Sequence, residues 1–287
     1  MTSLPQNHYK TLGVVLGGGG ARGLAHIGVL KVLAEFGITI SSLAGCSMGG
    51  LIASTLAMGM PVNEIEKIAL RFQSRREIIR LVDRTPSRKG LLAGNKIRKF
   101  LSEFIPPDLC IEETKIPLVM NAVDLISGEE IPLRQGNLID AIMATTAIPG
   151  LFSPVEVGPY RLVDGGTLND VPVNYLKETT VGVILAVNVH QRNQDGHGSN
   201  QVSRSGHVPL SILPMMQDFY RVETIVTGKL VEQNLERFPP DILISPSISN
   251  EITSLFGFQH VGEVINAGEI AMRERIPQLL DLLTEPN

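Results

Sequence analysis

Cysteine is scarce in this chain. Its 287 residues include only Cys46 and Cys110, which is too few for a disulfide framework. The two cysteines also lack the spacing of a zinc site. We therefore expect no metal and no other cofactor, and a reducing, cytoplasmic environment.

Long apolar runs are also missing. The first ten residues are polar, and the apolar stretch after them is rich in glycine and interrupted by Arg22, His26 and Lys31. This pattern fits neither a signal peptide nor a membrane span. We expect a protein that is soluble or attached only to the surface of a membrane.

Acidic residues are rare in one basic segment, which we define as residues 67–99. It contains only Glu77 and Asp83 as acids. Its eleven basic residues are Lys67, Arg71, Arg75, Arg76, Arg80, Arg84, Arg88, Lys89, Lys96, Arg98 and Lys99. A solvated helical face would explain this charge, and so would a patch that contacts anionic lipid headgroups as a peripheral membrane partner. Few aromatic residues interleave with the basic ones, so we do not expect nucleic acid as a partner.

Strands and helices alternate from the start of the chain. A strand at 11–16 leads through a glycine run into a helix at 23–36, and a second strand at 38–44 precedes a helix at 51–59. Each helix begins at a glycine-rich turn. This β-α-β-α order predicts an α/β fold with crossover helices and a mainly parallel central sheet, built as a three-layer α/β/α sandwich.

Residues 45–49, Gly-Cys-Ser-Met-Gly, form a G-x-S-x-G pattern between the second strand and its helix. Gly45 and Gly49 permit a tight turn, the nucleophile elbow, on which Ser47 and Met48 lie. Such a turn presents the serine hydroxyl at a helix N-terminus, where amide groups favour negative charge. Ser47 is therefore the candidate nucleophile, and an idle serine in a packing turn is the alternative.

The glycine run before the first helix is the candidate oxyanion hole. Successive amides at Gly18, Gly19 and Gly20 can approach a ligand closely, and Arg22 would steady this loop or add positive charge. His26 is expected to support the loop. The same residues fit G-x-G-x-x-G, so a nucleotide-binding Rossmann-type protein is an alternative. That alternative needs an acid at the end of the second strand, where the elbow stands instead.

A serine nucleophile needs a base. His190 or His260 could complete the chain order of an α/β-hydrolase triad. Asp164 is the better candidate, because it follows a strand and precedes the turn glycines Gly165 and Gly166. Catalytic groups of parallel α/β folds gather at such strand ends. Burial and a hydrogen bond to the serine would have to tune a carboxyl whose ordinary pKa is about 3.9.

Taken together, these motifs resemble the patatin-like phospholipase family. The order of strand, glycine run, helix, strand, elbow and distant Asp-Gly-Gly is similar to that family's arrangement. The resemblance covers about residues 12–190. Segments 121–129, 144–154 and 169–173 contribute to it as well.

The resemblance implies a bacterial serine acyl hydrolase that cleaves carboxylic esters of lipids through an acyl-enzyme. It implies a dyad of Ser47 and Asp164 without histidine, and it places the glycine run and Arg22 in the oxyanion loop. The implied substrates are acyl esters of glycerolipids, often lysophospholipids. A non-catalytic regulatory member of the same fold is the remaining alternative.

No internal repeat and no clean boundary divides the chain. We therefore predict a single domain over residues 1–287. It would contain a patatin-like core at 12–190, a polar loop at 191–207 and a C-terminal helical extension at 209–287. The sequence leaves the oligomeric state open.

Overall fold

The computed structural model describes residues 10–83, 92–190, 213–253 and 257–284, with the backbone alone for 213–220. Eight strands in these parts of the chain form one mixed sheet. They are β1 (Leu12–Leu16), β2 (Ile40–Gly45), β3 (Leu118–Asp124), β4 (Glu130–Leu133), β5 (Val155–Val157), β6 (Tyr160–Asp164), β7 (Val183–Val187) and β8 (Ile242–Ile244).

The sheet has the order β5-β6-β3-β2-β1-β7-β8, and β4 pairs with β3 outside this path. The pairs β3–β2, β2–β1, β1–β7 and β7–β8 are parallel. The pairs β3–β4, β3–β6 and β5–β6 are antiparallel. The predicted mainly parallel centre is confirmed, and the antiparallel pairs gather at the β3 side of the sheet.

Helices cover the sheet and carry its connections. They are α1 (Ala25–Glu35), α2 (Ser47–Ala57), α3 (Val62–Leu70), α4 (Arg75–Arg80), α5 (Asn95–Leu101), α6 (Leu138–Thr145), α7 (Asn174–Lys177), α8 (Leu213–Arg237) and α9 (Val261–Thr284). The helix expected at 23–36 is preceded by a 3₁₀ turn, Gly20–Leu24, which continues directly into α1. Within the basic segment, the 3₁₀ turn Arg71–Gln73 separates α3 from α4.

Two apolar layers lie on opposite faces of the sheet. Along β1, Val14 and Leu16 pack into the layer that includes α1, α2 and α9. Val15 faces the other layer, together with Tyr175 of α7 and Val231 of α8. All five residues of β1 are buried, as expected for a parallel strand covered on both faces. The predicted three-layer α/β/α arrangement is confirmed.

The C-terminal helix α9 crosses α1 at close range. A Cβ atom added at Gly28 would overlap the backbone of α9, and one added at Gly268 would overlap the backbone of α1. Met272 and Leu279 of α9 are fully buried in the same apolar layer as α1. The C-terminal helix therefore belongs to the main core.

The boundaries of the predicted single domain stay a prediction, and the expected polar loop at 191–207 lies outside the described residues. Across the part of the chain described above, no helix combines the length and the apolar character that crossing a bilayer requires.

Candidate active site

Ser47 is the first residue of α2 and follows β2 after a single intervening residue. Its φ angle is 49°, and it is the one non-glycine residue with positive φ in the described parts of the chain. L-residues rarely adopt this conformation. Gly49 makes the turn feasible, since a Cβ atom there would overlap the carbonyl oxygens of Leu16 and Gly17. The structure thus has the strained strand–turn–helix geometry that the G-x-S-x-G pattern predicts.

The hydroxyl of Ser47 donates a hydrogen bond of 2.6 Å to Oδ2 of Asp164. The other oxygen of Asp164, Oδ1, accepts a bond of 2.9 Å from the amide of Gly166. Both side chains of the pair are buried. The two groups that the sequence selected as nucleophile and base are therefore in direct contact.

Asp164 lies at the end of an antiparallel strand. It is the last residue of β6, which runs antiparallel to β3 and pairs Asp164 with Ala122. The predicted strand end at Asp164 is therefore present, on a strand that lies outside the parallel part of the sheet. The antiparallel strand brings the carboxyl to the elbow by its register on β3.

The environment of Asp164 strengthens it as a base. Burial raises its pKa to about 7, and the hydrogen bonds from Ser47 and Gly166 oppose the shift without cancelling it. Asp170 and Glu223 add like charge that raises the pKa further. A general base works best when its pKa lies near the operating pH. The carboxyl of Asp164 therefore has the proton affinity of an effective general base.

The histidines considered for a triad are bonded elsewhere. Nε2 of His190 donates to the carbonyl oxygen of Thr224 over 3.0 Å. His260 is half-exposed, and its Nδ1 lies 3.4 Å from a carboxylate oxygen of Glu263. Neither imidazole is the partner of Ser47.

His26 supports the glycine loop, as its position near the start of α1 leads us to expect. Its Nε2 donates a 2.7 Å hydrogen bond to the carbonyl oxygen of Gly17. Burial lowers the pKa of His26 to about 4, so the ring is neutral at physiological pH. Its Nδ1 atom has no hydrogen-bond partner within the described residues. The ring therefore fixes the start of the loop without bringing charge.

The amides of the glycine loop are not equivalent. The amide of Gly18 donates a 2.9 Å hydrogen bond to the carbonyl oxygen of Asp170. The amides of Gly19 and Gly20 have no hydrogen-bond partner among the described residues, and the same holds for Met48 at the N-terminus of α2. The expectation that all three glycine amides would bind an oxyanion is therefore corrected, because Gly18 is already engaged.

Arg22 ties the glycine loop to later parts of the chain. Its Nε donates to the carbonyl oxygen of Val189 over 2.8 Å. One terminal nitrogen donates to the carbonyl oxygens of Ile252, at 2.9 Å, and of Ser249, at 3.2 Å. Of the two roles expected for Arg22, steadying the loop is the one that this geometry supports.

Several contacts of the site were not anticipated. Thr145 accepts a hydrogen bond from the amide of Ser47, and Asn121 donates one to the carbonyl oxygen of Asn169, just beyond the Asp-Gly-Gly turn. The thiol of Cys46 lies 3.7 Å from Oδ1 of Asp164, and burial raises the pKa of this thiol well above its usual range. Thr145 and Asn121 fall in two of the segments that carry the family resemblance, which was the available signal.

A metal-binding cluster would need several ligating side chains in one place. Within residues 10–83, 92–190, 213–253 and 257–284, no three His, Cys, Asp or Glu side chains come together in a way that could hold an ion.

The fold and the site define a class of protein. It is an α/β protein in which a serine on a nucleophile elbow is hydrogen-bonded to a buried carboxyl. A family model described as patatin-like phospholipase matches residues 14–177, which is more than half of the chain. The chain belongs to the patatin-like phospholipase family.

The chain is also similar in sequence to individual known proteins. The chain is 27% identical over 285 residues to an uncharacterized NTE family protein of Mycobacterium tuberculosis, covering 96% of this chain and 48% of that protein. It is 30% identical over 182 residues to Lysophospholipase NTE1 of Cryptococcus neoformans, covering 63% of this chain and 11% of that protein. The chain thus spans at most about half the length of these relatives.

Among solved structures, VipD from Legionella pneumophila is similar, with a TM-score of 0.50 and 15% identity. The match covers 98% of this chain and 68% of that one. At this level of identity the similarity shows a shared fold.

Proposed function

We propose that this chain is a serine acyl hydrolase that cleaves carboxylic ester bonds of lipids, with Ser47 as nucleophile and Asp164 as base. The observation that carries the proposal is the 2.6 Å hydrogen bond between the two side chains, made from a strained elbow. Membership of the patatin-like phospholipase family supports a lipid substrate. The name of the relative Lysophospholipase NTE1 supports lysophospholipid as the first substrate to test.

In the first step, Asp164 accepts the proton of Ser47 while the serine oxygen bonds to the carbonyl carbon of the ester. The electron pair of the carbonyl bond moves to its oxygen. The amides of Gly19, Gly20 and Met48 are the donors available to this oxyanion. Collapse breaks the bond to the alcohol oxygen, which takes the proton from Asp164. An acyl group remains on Ser47.

The second step repeats the chemistry with water. Asp164 accepts a proton from water as the water oxygen attacks the acyl carbon. The tetrahedral intermediate then releases the oxygen of Ser47, which recovers its proton from Asp164. The free acid departs and the site returns to its starting state. Asp164 alternates between base and acid, for which a pKa of about 7 is well suited.

Two matched pairs of variants test the proposal. Ser47→Ala and Asp164→Asn should each lower the hydrolysis of p-nitrophenyl butyrate and of a lysophospholipid by about 10³-fold or more. The controls are Ser102→Ala and Asp108→Asn, which change exposed residues and should keep full activity. A fluorophosphonate probe should modify Ser47, as located by peptide mass mapping. Unchanged activity in Ser47→Ala, or a probe adduct on another serine, would refute the assignment.

The same labelling experiment separates the alternatives. A regulatory protein with a vestigial site would leave Ser47 unlabelled and show no turnover. A nucleotide-binding protein would be stabilised against heat by a dinucleotide, and we expect no such stabilisation. The residues at the end of β2 argue against nucleotide binding, because Cys46 and Ser47 stand where an acid would bind the ribose.

We further propose that the basic segment contacts anionic lipid. On α4, Ile79 is 67% exposed and lies next to the exposed Arg80. Some of the charge of the segment is compensated, since Glu77 pairs with Arg71 and with Arg80. Arg75 and Arg76 on the same helix are exposed. An apolar side chain among arginines suits the boundary between headgroups and acyl chains. Arg84, Arg88 and Lys89 lie outside the described residues.

A further inference from the structure

A second buried carboxyl, that of Asp170, lies beside the candidate dyad. Asp170 is only 6% exposed. A Cβ atom added at Gly166 would lie 2.7 Å from Oδ1 of Asp170 and 3.2 Å from Oδ1 of Asp164. The two carboxyl oxygens therefore lie close to the same point beside Gly166, and the distance between them cannot exceed the sum of these two values.

Asp170 also contacts the glycine loop, through both its main chain and its side chain. Its carbonyl oxygen accepts the amide of Gly18 over 2.9 Å. A Cβ atom added at Gly18 would overlap the Asp170 carboxyl and would lie 3.3 Å from Cβ of Ser47. One residue thus touches the loop that offers the oxyanion donors and the turn that carries the base.

The charge around Asp170 is mostly acidic. The titratable groups that face it are Asp164 from the end of β6, Cys46 from the elbow, His190 from the segment after β7, and Glu223 from α8, while Arg22 of the glycine loop acts on His190. Nδ1 of His190 lies 3.9 Å from Oδ2 of Asp170. Burial lowers the pKa of His190, so this ring is a weak source of positive charge. Burial and the Glu223 charge raise the pKa of Asp170 to about 7.

We propose that Asp170 is a positioning residue of the site, which joins the glycine loop to the Asp-Gly-Gly turn and whose carboxylate charge makes Asp164 a stronger base. The inference rests on the proposed function of Ser47 and Asp164. A like charge within about 4–6 Å disfavours ionisation of its neighbour. The two carboxyls then titrate as a coupled pair, and ionised Asp170 increases the proton affinity of Asp164.

The replacement Asp170→Asn separates charge from shape, because asparagine has nearly the same volume and keeps the main-chain contact. We expect the acid limb of the pH profile of kcat/KM to move to lower pH by about 1 unit. We expect Asp170→Ala, which also removes the side-chain contact with the loop, to lower kcat on the plateau by about 10-fold. The matched control is Asp108→Asn, an exposed carboxyl whose replacement should leave the profile unchanged. Profiles of Asp170→Asn and the unmodified chain that superimpose would overturn the proposal.

A second variant keeps the proposal testable if the Asp170 variants do not fold. Glu223 lies on the partly exposed face of α8, and its charge raises the pKa of both Asp164 and Asp170. Glu223→Gln should therefore shift the acid limb in the same direction by a smaller amount. A shift to higher pH in this variant would contradict the electrostatic account.

A measurement without turnover distinguishes this inference from the proposed function. Aspartate labelled with ¹³C at the carboxyl allows the titration of Asp164 to be followed by NMR in the unmodified chain and in Asp170→Asn. We expect the Asp164 resonance to titrate at lower pH in the variant. An unchanged titration would end the role of Asp170 and leave the dyad standing. A chain with no esterase activity whose Asp164 still responds would reject the proposed function alone.

Discussion

The amide of Ser47 donates a hydrogen bond of 2.9 Å to the hydroxyl oxygen of Thr145, which lies 98 positions later in the chain. Thr145 is the last residue of α6 and is fully buried. The amide of a residue with positive φ at a helix N-terminus has no acceptor within its own helix. Thr145 supplies that acceptor, so it fixes the backbone at the position where the elbow is strained.

We therefore predict that Thr145→Val lowers kcat for ester hydrolysis by about 10-fold, because valine keeps the shape and removes the acceptor. KM should change little, since Thr145 is fully buried and its hydroxyl oxygen is bonded to the amide of Ser47. Thr145→Ser keeps the hydroxyl and should recover most of the lost kcat. Steady-state kinetics of both variants test this, and an unchanged kcat in Thr145→Val would show that the elbow holds its geometry without this bond.

Arg22 gives a second prediction about positioning. Its guanidinium reaches carbonyl oxygens in two segments at once, after β7 and before α9. A lysine has a single ammonium and cannot reproduce this planar fork. Arg22→Lys should lower kcat by about 10-fold and lower the melting temperature, because buried carbonyl groups lose their donors.

The control for this experiment is Arg275→Lys, an exposed arginine on α9. Activity and melting temperature of this control should match those of the unmodified chain. A fully active and fully stable Arg22→Lys variant would show that the loop is held by its other contacts, such as the one from His26.

Local signals in the sequence were sufficient for much of the fold. The predicted strands at 11–16 and 38–44 correspond to β1 and β2, because short apolar runs next to turn residues are a local pattern. The elbow could also be predicted, since the G-x-S-x-G pattern determines its own turn. The 3₁₀ turn Arg71–Gln73 was not foreseen, because no glycine or proline marks it.

The rest of the site depends on how distant strands pair. The register of β6 on β3 places Asp164 opposite Ala122, and the sequence does not reveal that this pairing is antiparallel. The engagement of the Gly18 amide by Asp170 has the same origin, because it joins residues from two distant turns. Contacts of this kind follow from the assembled sheet and carry no local signal.

The basic segment makes a prediction about membranes. Replacing Arg75 and Arg76 by glutamine should reduce sedimentation with vesicles of phosphatidylserine and phosphatidylcholine, because each basic group near an anionic surface contributes about 1 kcal/mol. Binding of the unmodified chain should weaken as salt rises from about 0.05 to 0.5 M. The matched control changes two other exposed basic residues, Lys177→Gln and Arg275→Gln. Equal binding to neutral and anionic vesicles would rule out a role for the charge.

The raised pKa of Asp164 predicts the pH dependence of catalysis. Asp164 must be ionised to accept the serine proton, and its pKa is about 7. We therefore expect kcat/KM to rise with pH and to reach half of its plateau near pH 7. A carboxyl with an ordinary pKa of about 3.9 would give a flat profile above pH 5. Initial rates with p-nitrophenyl butyrate at constant ionic strength distinguish the two cases, and a profile flat between pH 5 and 8 would contradict the assigned base.

The same shift predicts that the site is held at a cost in stability. The pKa of Asp164 is about 7 in the folded chain against a reference value of 3.8, so the folded state binds more protons between these values. The free energy of unfolding therefore falls as pH rises from about 4 to about 7. Asp164→Asn removes this loss, and at pH 8 it should be more stable than the unmodified chain by on the order of 1–3 kcal/mol. At pH 4 the advantage should vanish, because the carboxyl is then protonated in the folded state.

Urea unfolding at the two pH values measures the difference. Asp124→Asn provides a contrast of opposite sign. Amides of Arg161 and Ser127 donate to Asp124 and hold the pKa of its carboxyl below the usual range, so its replacement should lower stability at pH 8. If Asp164→Asn were less stable than the unmodified chain at pH 8, the carboxyl of Asp164 would be well accommodated as an anion. Its strength as a base would then need a different origin from burial.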